Sequence, residues 1–243
     1  MPGDTPAPGT LAALQADLAA AQRQIADMSA AHEAFLRAVA HDLRAPLRHV
    51  TSYGALVREL LQELPGPPPQ VAEALDFLAT MEGSARRMAL MIDGLQAISR
   101  AGRAPLRLQA VDLNAAVQQA RALLGSAGDG VAWHIAPAMP AVQADADLLG
   151  QLLAQVLGNA VKFTRGVADP RVQVCAEPAG DGLVHITVQD NGVGFDAARA
   201  QQLFGVFQRL HRESEFAGVG AGLALCQTIA QRHGATIAAA AAS

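Results

Sequence analysis

The first arrangement in the chain able to do chemistry is a histidine followed at once by an acid, His41-Asp42, in the run Ala40-His41-Asp42-Leu43-Arg44-Ala45-Pro46-Leu47-Arg48. Before it, apolar or small residues recur at alternating steps of three and four: Leu11, Leu14, Leu18, Ala21, Ile25, Met28, Phe35 and Val39, with only His32 interrupting. That is a heptad seam on one helix. At ~100° per residue, His41 has turned almost to the side opposite the seam and is expected to face solvent. A displayed imidazole beside a carboxylate can be held in one tautomer, giving up the proton of one nitrogen while the other attacks. Pro46 removes a donor from the helical ladder and is expected to kink the helix within about one turn of His41. Taken alone, these residues fit an ordinary surface His–Asp pair equally well.

Three more groupings lie downstream. Asn159 and Lys162, three apart in a helical run, project from one face, where an amide oxygen and an ammonium suit a magnesium ion bound to phosphates. Asp190-Asn191-Gly192-Val193-Gly194 closes an alternating strand; its acid can accept from an exocyclic amine such as that of adenine, while Gly192 and Gly194 let a ligand approach the backbone. Gly218-Val219-Gly220-Ala221-Gly222 opens the last helix, where amides bare of side chains make an anion site. Between the last two runs a loop, residues 203–211, carries Phe204, Phe207, Arg209 and His211, the apolar latches and cation that a lid over phosphates needs. Each grouping has a bland reading as a wet helix face, a tight turn or a plain helix start.

Their joint order is specific. HDLRAP resembles the phosphoacceptor box of sensor histidine kinases, and the downstream groupings stand in the order of that family's N, G1, F and G2 boxes. The resemblance covers residues 20–237, and the variants FQRLH and HDLRAPLR are most similar to the phytochrome-type group. It implies a dimerising helical hairpin followed by an α/β sandwich of the histidine kinase ATP-binding (Bergerat) type. It further implies that ATP phosphorylates His41 with Asp42 as base and orienter, that Asn159 ligates Mg2+, and that Lys162 and Arg209 contact phosphates. Asp190 would read the adenine amine, and Gly218, Gly220 and Gly222 would hinge the lid. The phosphoryl group would pass to an aspartate on the receiver domain of a response regulator.

Departures from the family pattern matter as well. One helical turn before Asn159 the family usually has a second Asn, and here it is Gln155, which keeps the amide on a longer arm and loosens the expected metal geometry. The residue before Pro46, a Thr or Asn thought in such kinases to orient the water that hydrolyses the regulator's phosphoaspartate, is Ala45. After Gly234 the chain reads Ala235-Thr236-Ile237 and then alanines where the family has two further strands, so an open sheet edge is expected. No sensor domain is visible, so the input is expected from a separate sensor protein unless the chain is a fragment.

The elements that must position these residues follow from composition and period. With 243 residues, 51% hydrophobic and a net charge of -4, the chain suffices for one helical module and one globular domain, and its charge argues against nucleic-acid binding. No apolar run approaches the ~20 residues of a membrane span and no signal core opens the chain, so a soluble cytoplasmic protein is expected. Cys175 and Cys226 have no metal-ligand spacing and are expected to be reduced, buried and idle. Residues 1–10 read as disordered or linker and 11–64 as one helix; Pro65-Gly66-Pro67-Pro68-Pro69 is a stop, and 70–100 is a second helix. The two form a hairpin domain, 11–100, whose apolar stripes are wider than one partner covers, which calls for a homodimeric four-helix bundle. After a linker at 101–105, residues 106–243 form the catalytic ATP-binding domain. Its expected strands lie at 106–113, 131–135, 141–144, 171–177 and 183–190, and its helices at 114–124, 146–164 and 220–233, giving helices on one face of a mixed sheet.

The function these readings favour is an ATP:protein-histidine phosphotransferase. Two rivals remain: a phosphotransfer or scaffold protein with a degenerate nucleotide site, and a related ATPase or serine kinase of the same sandwich.

Overall fold

The computed structural model describes residues 8–65, 68–211 and 215–241. Two long helices come first, α1 (Pro8–Gln62) and α2 (Pro69–Arg103). Each opens on a proline, whose fixed φ and missing N–H suit the first helical position. The helix thus enters the stretch 1–10 expected as linker, of which residues 1–7 lie outside those described, as do 66 and 67 of the proline-rich turn. Pro46 sits inside α1 without ending it.

The linker expected at 101–105 is mostly helix, because α2 runs on to Arg103. Two contacts hold the extra turn. Ala101 is buried with Ala97, Ile98, Leu106, Leu148, Leu152, Leu225 and Ile229, and the Arg232 guanidinium donates to the carbonyls of Ala101 at 3.1 Å and Ala104 at 2.7 Å. Pro105 then disfavours a further helical residue before it.

Two compact units result, Met1–Arg86 and Arg87–Ser243, so the last turns of α2 belong with the second. Within the first unit, Glu82 of α2 is buried, and its Oε2 accepts from Arg58 of α1 at 2.7 Å and from Arg86 at 3.5 Å. Gly54 makes room for it: a Cβ there would stand 3.2 Å from Glu82 Oε1. Among the described residues nothing covers the seam on α1, Leu14, Leu18, Ile25, Met28 and Phe35 all being 59–65% exposed. Among the described residues no helix is long and apolar enough to cross a membrane.

The second unit is the expected α/β sandwich. After α2 come β1 (Leu108–Asp112), α3 (Leu113–Ala122), β2 (Ala132–Ile135), β3 (Ala141–Asp145), α4 (Ala146–Phe163), β4 (Arg171–Gly180), β5 (Leu183–Asp190) and α5 (Gly222–Arg232). Strands β1 and β3 pair antiparallel, while β2, β4 and β5 form a mixed sheet in that order, parallel at β2–β4 and antiparallel at β4–β5. Alternate residues in the first part of β4 are buried, Val172, Val174 and Ala176, and join one core with Leu113 and Val117 of α3 and Leu153 and Leu157 of α4. Two 3-10 turns, Gly125–Gly128 and Ala197–Phe204, fall where loops were expected; the Asp196 side chain caps the second through Ala198 N–H. Residues 235–241 form no strand, and among the described residues nothing pairs with the outer edge of β5. Cys226 is fully buried, which pushes its thiol up to about 12, whereas Cys175 on β4 is only half-buried, contrary to expectation.

One buried carboxylate joins the pieces. Asp145, the last residue of β3, accepts from Leu148 N–H at 3.1 Å, capping α4, and from Arg107 N–H at 3.0 Å. Its own N–H donates to His233 Nε2 at 3.0 Å, and His233 Nδ1 donates to the Ile229 carbonyl at the end of α5. The backbone N–H of Arg107, then that of Leu148, hold the Asp145 carboxyl below its ordinary 3.8 against the opposing effect of burial. A carboxylate with a lowered folded pKa contributes stability above its unfolded pKa and loses it as pH falls through the folded value. Asp145→Ala is therefore expected to cost about 1–2 kcal/mol near neutral pH. Asp145→Asn should flatten the loss of stability below ~pH 4, and denaturant unfolding at both pH values checks the pair.

Candidate functional site

His41 is displayed as its helical position requires: its side chain is 87% exposed, that of Asp42 79%, and His41 Nδ1 lies 3.1 Å from Asp42 Oδ1. With the carboxylate accepting from Nδ1–H, the lone pair sits on Nε2, directed away from the carboxylate. In that tautomer Nε2 is the ring nitrogen without a proton.

The downstream groupings meet in the second unit. Gln155, Asn159 and Lys162 follow one another at helical spacing on α4, while Leu153, Leu157, Ala160 and Val161 of the same helix are buried. The glycine-rich run lies along that polar face. A Cβ on Gly222 would fall 2.5 Å from Gln155 Oε1, and one on Gly218 would fall 3.8 Å from Lys162 Nζ. Asn159 lies between these two points on the helix. The longer arm of Gln155 is accommodated because its neighbour has no side chain. Gly218 and Gly220 hold φ of 130° and 76°, values that a side chain disfavours. Ala221, the N-cap of α5, offers no side chain to the first helical amides.

Asp190 and its turn adjoin the far end of α4. Val193 N–H donates to the Phe163 carbonyl at 3.2 Å, and a Cβ on Gly192 would be only 2.6 Å from that same oxygen. Asp190 Oδ1 accepts from Gly192 N–H at 2.9 Å, leaving Oδ2 for a donor, and Gly194 has φ of 65°. Along α4 the structure therefore sets Gln155 against Gly222 and Lys162 near Gly218, and places the Asp190 turn at Phe163, the helix's last residue.

The electrostatics favour an anion. Burial foremost, then the guanidiniums of Arg209 and Arg165, push the Lys162 ammonium below its usual range, and the negative charge of a phosphate beside it would oppose that shift. Its Nζ stands 4.3 Å over the Phe163 ring. Arg209 is not extended toward a ligand: it donates to the carbonyls of Gly218 at 2.6 Å and Phe216 at 2.5 Å, bracing the loop it was expected to serve.

Residues 144–243 match the family profile of histidine kinase-, DNA gyrase B-, and HSP90-like ATPases. Over 222 residues the chain is 30% identical to phytochrome-like protein Cph1 of Synechocystis sp., covering 89% of this chain and 28% of that protein. It is 31% identical over 205 residues to sensor histidine kinase ZraS of Klebsiella oxytoca, covering 82% and 41%. The chain is a sensor histidine kinase homologue. Full-length ShkA, solved in complex with AMPPNP, shares the fold with a TM-score of 0.55 at 24% identity over 82% of this chain and 41% of that one. The chain spans only about a quarter of the phytochrome-like relatives it matches, 28%, 27% and 25% of their lengths.

The homologue's donor set fits a nucleotide better than a free metal. The described residues hold no cluster of three or more His, Cys, Asp or Glu side chains able to bind a metal ion. Magnesium readily takes phosphate oxygens and waters with few protein ligands, and the amide oxygens of Asn159 and Gln155 suit that role. The feature that spacing alone did not single out is a ring cluster, Phe163, His211 and Phe216, with centroids 5.0–5.4 Å apart. Here the His211 Nε2–H donates to the Gly194 carbonyl at 2.9 Å, linking the expected lid to the Asp190 turn. The available signal was Phe163 itself, an aromatic next to Lys162 in the last turn of α4.

Asp190→Asn keeps the oxygen that accepts from Gly192 N–H and exchanges the free acceptor for a donor. It is expected to weaken Mg-ATP binding about tenfold with the fold unchanged. Calorimetric titration checks this, and unaltered affinity removes Asp190 from the site.

Proposed function

We propose that this chain is an ATP-dependent protein histidine kinase that acts as a homodimer, phosphorylating His41 and passing the phosphoryl group to an aspartate on a response regulator. The observation that carries this reading is the His41–Asp42 pair, tautomer set and nucleophile bare, on the same chain as a histidine kinase-type ATPase domain. The exposed seam of α1 supports dimerisation, since a second copy would bury it.

Asp190 and the Gly192 and Gly194 backbone take the adenine, while Lys162 and the amides at the start of α5 take the phosphates. Bound magnesium would neutralise charge on the phosphates and in the transition state, held by Asn159 and assisted by Gln155. The Nε2 lone pair of His41 forms a bond to the γ-phosphorus as the bond to the ADP oxygen breaks. The Nδ1 proton, made acidic by the new bond, is stabilised or accepted by Asp42. The phosphoramidate so formed is a good phosphoryl donor to a carboxylate.

His41→Gln should abolish protein labelling by γ-labelled ATP while leaving Mg-ATP affinity unchanged, because acceptor and nucleotide residues belong to different units. Acid-labile, base-stable label on the unmodified protein supports the kinase. A protein that stays unlabelled is a scaffold, and acid-stable label or free phosphate alone indicates the serine kinase or ATPase.

Ala45 carries a second expectation. It lies one turn after His41 on α1, and its methyl can neither donate to nor accept from a water. The protein is expected to show kinase and phosphotransfer activity with little phosphatase activity toward its regulator. Ala45→Thr should raise dephosphorylation of purified phosphoregulator, assayed with ADP, without slowing autophosphorylation; strong phosphatase activity before substitution contradicts this.

A further inference from the structure

The end of α2 reaches the glycine-rich run directly. A Cβ built on Gly94 would lie 2.5 Å from the Cβ of Ala221, the residue between Gly220 and Gly222. Ala221 is enclosed on every side that matters. A Cβ on Gly220 would meet the Gln208 carbonyl at 2.6 Å, one on Gly222 would meet Gln155 Oε1 at 2.5 Å, and Ala221 itself is 7% exposed. Farther along, α2 is fastened by Ala101 within the cluster of Leu148, Leu225 and Ile229, and by Arg232 on the carbonyls of Ala101 and Ala104.

We propose that Gly94 is a positioning residue through which α2 sets the place of the 218–222 loop over the Gln155–Asn159–Lys162 face, so that displacement of α2 tunes nucleotide affinity. The proposal rests on the nucleotide reading of that face. The contact leaves no slack, since ordinary carbon–carbon contact needs ~3.5 Å or more. A methyl at Gly94 must therefore move one partner by about 1 Å, and misplacement on that scale costs up to a hundredfold in a preorganised site. Because α2 is held downstream, the loop yields and the phosphate-facing amides move with it. The same reasoning runs in reverse: a signal that shifts α2 by an ångström reaches the nucleotide with no intervening hinge.

The test is Mg-ADP affinity of the full chain by calorimetry, with thermal unfolding measured alongside. Gly94→Ala is expected to weaken binding about tenfold to a hundredfold, and Gly94→Ala combined with Ala221→Gly, which removes the collision, is expected to recover it. Gly83→Ala is the control on the same helix, since a Cβ there meets nothing within 4 Å. A Gly94→Ala protein with altered melting but unaltered affinity overturns the proposal, and so does a loss that Ala221→Gly fails to recover. If Gly94→Ala does not fold, Arg232→Met decides: it frees α2 at the far end of α5 and should shift affinity about threefold, whereas no shift overturns the proposal. An unmodified chain that binds no Mg-ADP overturns the nucleotide reading itself, an outcome distinct from all of these.

Discussion

Everything in the second unit depends on α4 serving two neighbours at once. One side of it, Leu149, Leu153, Leu157 and Ala160, is sealed into the core that β4 closes from the other side. The other side carries Gln155, Asn159 and Lys162. Neither side can rotate without the other, so burial of a few leucines fixes where an amide and an ammonium stand. The Asp145 carboxylate locks the start of the helix, and through His233 the same residue reaches the end of α5. The glycine-rich run is thereby suspended between two helices whose ends are tied together.

His41 is under the opposite constraint. His41 needs no enclosure, only presentation, and a single adjacent carboxylate supplies its orientation. The His41 pair thus sits on a plain amphipathic helix, while Gln155, Asn159 and Lys162 are placed by an entire sandwich. Their surroundings differ accordingly. Lys162 is perturbed by burial and by neighbouring cations.

The fold class was legible because alternating strands and amphipathic helices are local patterns, and β4 and α4 follow them almost residue for residue. The candidate residues were legible because Asp190 and the glycines occupy strand and helix ends, where backbone geometry leaves a composition signal. What escaped was long-range. Past Ala101, helix α2 is held by residues far along the chain, by Arg232 on its carbonyls and by Leu148, Leu225 and Ile229 around Ala101. Glu82 carries no spacing signal that marks it as buried, and its pairing with Arg58 of α1 is visible only in the folded hairpin. Arg209 bonds to carbonyls of Phe216 and Gly218, a partnership that carries no spacing signature.

Helix α1 has one more consequence. Its 55 residues rise ~80 Å, and along its first half the side chains that would form a core point into water. Whatever covers such a seam stabilises the helix by mass action, in proportion to how much of the covering surface is present. The two units of one chain thus answer to different variables, the sandwich to its own buried contacts and the long helix to the concentration of what covers its seam.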